Sequence, residues 1–224
     1  MTDKNKKLKQ IYEILLETYG PQGWWPIATK SGKHGFDERG YHKNNYFSSD
    51  DERFEISAGA ILTQNTSWKN VEKAIINLKK NNLLNKKAVI DVDEKRLAEL
   101  IKPAGYFNQK AKKLKIFARF NGEITRENLL GLWGIGKETA DSILCYAYNE
   151  PIFVVDAYTQ RIFDRIGFDD DGYDETQKFV MENFKDAKDF NEFHALLVEL
   201  GKNNCKTRPI CDSCVLNKLC KKRI

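Results

Sequence analysis

The stretch GLWGIGKETAD, residues 131–141, contains Gly-x-x-x-x-Gly-Lys from Gly131 to Lys137. A phosphate-binding loop of that spacing needs Ser or Thr after its lysine and a buried β-strand before its first glycine. Here Glu138 follows Lys137, and the preceding ITRENLLGLW (124–133) has a helical pattern opened by a Thr125 cap. The stretch therefore predicts two short helices joined by a Gly-x-Gly hairpin. In the second helix Ala140, Ile143, Leu144, Ala147 and Tyr148 share one face. Glycines permit positive φ and close backbone approach. Hairpin amides and a helix N-terminus suit an anion, and a DNA phosphate would be bound there without regard to base sequence. An ordinary helix–helix turn accounts for the same pattern.

Outward from the hairpin the helical period repeats. KLKQIYEILLETYG (7–20) spaces Leu8, Ile11, Leu15 and Tyr19 on one face and stops at Gly20-Pro21. FEISAGAILTQ (54–64), WKNVEKAIINLKK (68–80), DEKRLAELIK (93–102) and NQKAKKLKIFARF (108–120) behave likewise. So do IFVVDAYTQRIFDRIGF (152–168) and DFNEFHALLVELGKNNC (189–205). The only strand-like run is Ile152–Val155. Residues 27–52 lack periodicity and predict a long loop. The run Lys110, Lys112, Lys113, Lys115 and Arg119 predicts a solvated helix face that could follow a phosphate backbone. The 224 residues allow one or two domains, and 41% hydrophobic composition suits a globular chain. The net charge of +5 points only weakly to a polyanion. With no apolar run of membrane length and no signal-peptide core, a cytoplasmic, nucleoid-associated monomer without a membrane partner is expected.

CKTRPICDSCVLNKLC (205–220) sets Cys205, Cys211, Cys214 and Cys220 in a C-x5-C-x2-C-x5-C run. Four thiolates within 16 residues can surround one metal centre. Zinc and a [4Fe–4S] cluster both accept four thiolates. A disulfide framework fits poorly without a secretory signal. Cys145, in mid-helix, predicts a core position. Trp24 and Trp25, followed by Pro26, are costly to expose, so either the core or a stacking site holds them.

In combination these stretches resemble the helix-hairpin-helix DNA glycosylases of the endonuclease III type. LWGIGKETADSIL is similar to the family hairpin, FVVDAYTQRIF to its catalytic Val-Asp segment, and the cysteine run to its iron–sulfur loop, with the first spacing one residue shorter. AILTQNTSW and KPAGYFNQKAKKL also match. The resemblance implies an all-α fold: a six-helix barrel domain over 53–152, and a second helical domain from 1–52 plus 153–224 that carries the [4Fe–4S] loop. Zinc is the second choice of metal. It implies double-stranded DNA in a cleft between the domains, with a damaged base flipped into a pocket.

The sequence departs from the strand-cleaving members. Their Schiff-base lysine falls at Glu138 when Gly134, Gly136, Thr139 and Ala140 are aligned. Lys137 lies one residue early, a rotation of about 100° on a helix. Water must then attack, with Asp156 stabilising the oxocarbenium-like sugar and orienting the water. Asp156 can also cap the helix that follows. Glu138 is a spectator, a salt-bridge partner or a second water-positioning group. The Trp24-Trp25-Pro26 stretch resembles the monofunctional 3-methyladenine DNA glycosylases, with Phe54 as the opposite wall of an aromatic sandwich around an electron-poor base. Uracil, a mispaired thymine, hypoxanthine or an oxidised base is the alternative, with residual lyase activity open; a non-catalytic DNA-binding module is another. Gln64 matches the glutamine that fills the space left by the flipped nucleotide. Gly134, Gly136, Lys137 and Thr139 would contact DNA. No role is assigned to His34, His42 or His194.

Overall fold

A computed structural model describes residues 2–28, 49–168 and 172–222. All regular structure among them is helical. The chain divides into two compact units: Met1–Trp24 with Pro151–Ile224, and Trp25–Glu150.

In the Trp25–Glu150 unit, α2 (Asp50–Thr63) is the central element, with every residue from Phe54 to Leu62 buried. Its start is a capping box: the Ser49 hydroxyl accepts the Glu52 amide, and the Glu52 carboxylate accepts the Ser49 amide. The expected loop thus ends at residue 49, because Asp50–Glu52 already form the first turn. Ile27 and Ala28 are buried; 29–48, including His34 and His42, lies outside the described residues. The buried Glu55 carboxylate accepts the Ala28 amide and the Lys79 ammonium meets the Ala28 carbonyl, so the incoming chain is tied to two helices.

Around α2 lie α3 (Trp68–Lys80), α4 (Lys86–Asp91), α5 (Glu94–Leu100), a 3-10 turn at Lys102–Ala104, and α6 (Phe107–Arg119). Next come α7 (Arg126–Leu130), capped by Thr125 as expected, and α8 (Lys137–Ser142), which runs on as a π-helical turn over Ile143–Ala147. That turn corrects the expected single face. Ile143, Leu144, Cys145, Tyr146 and Ala147 are all buried, whereas Tyr148 is half-exposed. A wider turn that packs on α2 can bury consecutive residues.

The Arg126 guanidinium forks onto Asp141 at 2.7 and 3.2 Å, bracing α7 against the helix beyond the hairpin. The Asp141 side chain is fully buried and Arg126 one-third exposed. Arg126→Met should lower stability by about 2–4 kcal/mol, since it removes a two-pronged cation from a buried carboxylate. Urea unfolding checks this, and a loss below about 0.5 kcal/mol, the level of an ordinary surface change, would deny the brace.

The other unit packs α1 (Asp3–Tyr19), α9 (Ala157–Ile166), α10 (Tyr173–Asn183) and α11 (Ala187–Asn203). Leu8, Ile11 and Leu15 of α1 are fully buried. Phe193 of α11 is the aromatic hub, with Tyr12, Phe153, Phe163 and Phe184 centroids within 6.4 Å. Phe153, Val154 and Val155 are buried in an extended segment, and the Phe153 carbonyl accepts the Gln177 side-chain amide at 2.7 Å. No strand forms among the described residues.

Candidate active site

Asp156 ends that buried apolar segment and is the N-cap of α9. One carboxylate oxygen, Oδ1, accepts the Thr159 amide at 2.7 Å and the Thr159 hydroxyl at 2.9 Å. The other, Oδ2, faces His194 Nε2 of α11 at 3.6 Å. The Asp156 side chain is 13% exposed and that of His194 6%. Burial alone would push the Asp156 carboxyl up; His194 and the Thr159 donors outweigh it and hold the carboxyl below its ordinary value. The result is an ionised carboxylate in an apolar surround, where its field on a nearby cation is strong. Capping and chemistry use the same group.

His194 is a residue that sequence reading passed over. It lies 38 positions from Asp156 on another helix and has no ligand spacing. Its ring is edge-on to Trp24, with centroids 5.9 Å apart. The Trp24 carbonyl accepts Asn191 Nδ2 at 3.0 Å, and Glu192 accepts the Gln22 amide at 2.6 Å. Asn191 and His194, three residues apart on α11, thus hold the Trp24 backbone and face Asp156.

Of the four residues read as a stacking pocket, only Trp24 keeps partial exposure. Trp25 and Phe54 are each 5% exposed and Pro26 is buried. The Trp25 ring packs on Trp68 and Tyr146 at 5.3 and 5.1 Å. It lies so close to α2 that a Cβ on Gly59 would come 2.9 Å from its Nε1. Phe54 stacks on Phe117 at 6.1 Å.

At the hairpin, Gly134 has φ +83° and rests on the Lys113 stem, which a Cβ would meet at 2.4 Å. Gly136, the N-cap of α8, has φ −97° and open space where a Cβ would go. No side chain caps α8 there. Lys137 and Glu138 are both exposed. Thr139 is buried, its hydroxyl accepting Gln64 Nε2 at 2.8 Å. Gln64 also donates to the Gly134 carbonyl at 3.0 Å and accepts Lys113 at 2.5 Å. It thus ties the end of α2 to the hairpin. Gly136→Ala should leave the melting temperature within about 2 °C and weaken binding to damaged and undamaged duplexes alike. Gly134→Ala should cost about 1–3 kcal/mol of stability through backbone strain. Unchanged affinity and salt dependence in Gly136→Ala would make the hairpin a structural turn only.

The lysine run is not one solvated face. Lys110 and Lys115 are buried. Lys110 donates to the Leu62 and Ala104 carbonyls at 2.8 and 2.7 Å, and Lys115 to those of Ile90 and Val92. Their ammonium groups satisfy carbonyls at helix ends, which need partners once buried. Burial, then Lys113, lowers the Lys110 ammonium to about 8. Lys112 and Arg119 remain exposed, and Lys112 lies 4.7 Å from the centre of the exposed Trp133 ring.

None of the four cysteines of the C-terminal loop is in a disulfide. Burial pushes the Cys214 thiol up, the Leu216 amide partly offsets this, and Cys205, Cys220 and Cys211 raise it further. Arg165 approaches Cys205 Sγ at 3.4 Å and the Lys206 and Thr207 carbonyls at 2.6 and 3.0 Å. The Lys222 amide points to Cys220 Sγ at 3.3 Å. A thiol tetrad with N–H donors directed at sulfur fits a thiolate-ligated group. Among the described residues, no three His, Cys, Asp or Glu side chains converge tightly enough to hold a single ion. Cys145 is buried in the π turn, as a core residue.

A glycine hairpin between two helices, followed by an Asp helix cap at the end of a buried Val-Val segment, defines a helix-hairpin-helix DNA repair protein. The chain belongs to the HhH-GPD superfamily of base excision DNA repair proteins, whose pattern residues 58–186 match. It is similar to a protein of Methanocaldococcus jannaschii provisionally named a DNA repair glycosylase: 42% identical over 97% of each chain. It is also similar to the crystal structure of H. pylori 3-methyladenine DNA glycosylase bound to 1,N6-ethenoadenine. That likeness has 32% identity and a TM-score of 0.70, and covers 90% of this chain and 98% of the other. An endonuclease III trapped as a covalent DNA intermediate shares the fold, with a TM-score of 0.76 at 21% identity over 99% of this chain and 97% of the other. No helix among the described residues is long and apolar enough to cross a membrane.

Proposed function

We propose that this base excision repair glycosylase is monofunctional. It hydrolyses the N-glycosidic bond of a flipped alkylated purine in double-stranded DNA and leaves the strand intact. The observation that carries this is the Asp156 carboxylate, largely buried yet held ionised, with Oδ1 fixed by Thr159. Such a group stabilises positive charge as it grows on the sugar and takes the proton of the attacking water. The position of the strand-cleaving lysine holds Glu138, which has no amine to form a Schiff base. Glu138 is exposed in the first turn of α8, which fits surface solvation or a salt bridge.

Two observations support an alkylated purine. The half-buried Trp24 beside His194 is a ring on which a cationic base can stack. The 32% identical H. pylori relative is a 3-methyladenine glycosylase. Gln64 fills the place of the extruded nucleotide by exchanging its hairpin bonds for bonds to DNA. Lys137 and the amides at Gly134 and Gly136 meet phosphates, while Thr139 supports them from within. The cysteine tetrad holds a [4Fe–4S] cluster in preference to zinc, a reading supported by four thiols, sulfur-directed donors and the endonuclease III-type spacing. Such a cluster would hold the C-terminal loop together.

The test is single-turnover release from duplexes that each carry one lesion: 3-methyladenine, 1,N6-ethenoadenine, hypoxanthine, uracil, 8-oxoguanine, or thymine opposite guanine. Alkylated adenine should leave fastest, with no borohydride-trapped adduct. Faster release of uracil or mispaired thymine would overturn the substrate but not the glycosylase. No release from any duplex would overturn both.

A further inference from the structure

We propose that His194 is the positioning residue of base release, its Nε2 set against Asp156 Oδ2 so that it aims that carboxylate. The inference rests on Asp156 being the reacting carboxylate. Thr159 fixes Oδ1 through two neutral donors, so Oδ2 is the oxygen whose orientation depends on another element. His194 Nε2 approaches Oδ2 at 3.6 Å across α9 and α11, with both side chains largely out of water. Rings flank the imidazole: Trp24 at 5.9 Å and Phe153 at 6.4 Å, both edge-on. These carry no net charge to compete for it. The nearby carboxylate of its own helix, Glu192, is turned to the Gln22 and Gly23 amides and is influenced by Lys188. On α9, Thr159 is the group that faces the carboxylate and it does not titrate. Asp156 is thus the anion that His194 serves.

The chemistry follows from the balance at Asp156. Burial favours the protonated acid, which can neither stabilise an oxocarbenium-like sugar nor accept a proton from water. His194 at Oδ2 and the Thr159 donors reverse that preference. Since a folded carboxyl held low stays ionised until the pH falls through its lowered value, the wild type keeps its activity well into acid. Without His194 the carboxyl rises, and the acid loss of activity begins at a higher pH.

His194→Gln keeps a neutral donor for Oδ2 and removes the imidazole. Single-turnover release should stay within about threefold of wild type at pH 8 and fall about tenfold or more below it near pH 5, the change expected from a shift of at least one unit. The acid limb of the profile moves up in pH, which a merely structural residue would not cause. Affinity for an abasic duplex should be unchanged. The 13C titration of the Asp156 carboxyl in the same variant, read without any turnover, should move in the same direction. An acid limb and a carboxyl midpoint that both stay at the wild-type pH overturn the proposal. If instead Asp156→Asn retains base release, the catalytic reading falls, while the carboxyl titration still decides whether the pair exists.

Discussion

Asp156→Asn is expected to abolish base release, by about 10³-fold or more, while DNA binding is kept or tightened. The scale is that of removing both a general base and an electrostatic stabiliser from one site. Asparagine is close to isosteric with aspartate and is as good an N-cap, so the Thr159 amide should still find an acceptor and α9 should still start at Ala157. Fold and function therefore separate cleanly in this variant. Loss of a negative charge also removes repulsion from phosphates. Single-turnover release and binding to an abasic duplex measure the two halves. A variant that releases base within tenfold of wild type would remove Asp156 from the chemistry and leave it as a helix cap. The wild type should yield an intact abasic strand. A borohydride adduct that disappears in Lys137→Ala would make Lys137 the nucleophile and the enzyme bifunctional.

The second large effect is expected at Cys214. Its sulfur feels all three other loop cysteines, and its thiol is raised by burial. Cys214→Ala should remove bound iron, with the brown absorption near 400 nm, roughly, that thiolate-ligated clusters give. Ligand binding at such a site is coupled to the folding of the loop that supplies it. The loop from Asn204 to Cys220 has little helix of its own, and Arg165 holds its first turn through carbonyls and the Cys205 sulfur. Thermal stability should therefore drop with the colour, by about 2–4 °C for each kcal/mol lost in a chain of this size. Iron analysis of anaerobically purified wild type and variant decides the matter. One zinc and no iron in the wild type would replace the cluster by a single ion.

Most of the local structure was legible in the sequence because its causes are local. Leu8, Ile11 and Leu15 recur at helical spacing, and all three are buried. Thr125 caps α7, Asp156 caps α9, and Gly20 closes α1 with φ +69°. The hairpin could be told from a phosphate loop by Glu138 and by the absence of a preceding strand pattern. The four cysteines could be read as one group because C-x2-C chelates through a single tight turn and four thiolates are the ligand set of zinc and iron–sulfur sites.

Tertiary packing decided what periodicity could not. Lys110 and Lys115 fall on a charged-looking stretch of α6, yet both are buried, because carbonyls at the ends of other elements needed donors. Trp25 and Phe54 could have been core or pocket from sequence alone. Neighbouring rings and the bare backbone of Gly59 made them core, and left Trp24 with the partial exposure. The π turn after α8 arose where five consecutive side chains found room against α2. His194 carries no signal in sequence at all, because its meaning is a distance to Asp156. Sequence thus determined the helices, their caps and the class of chemistry, which depend on neighbours a few residues apart. Only the folded chain decided which buried groups share a charge, because a 3.6 Å approach between residues 156 and 194 is set by the packing of α9 on α11 and not by either segment alone.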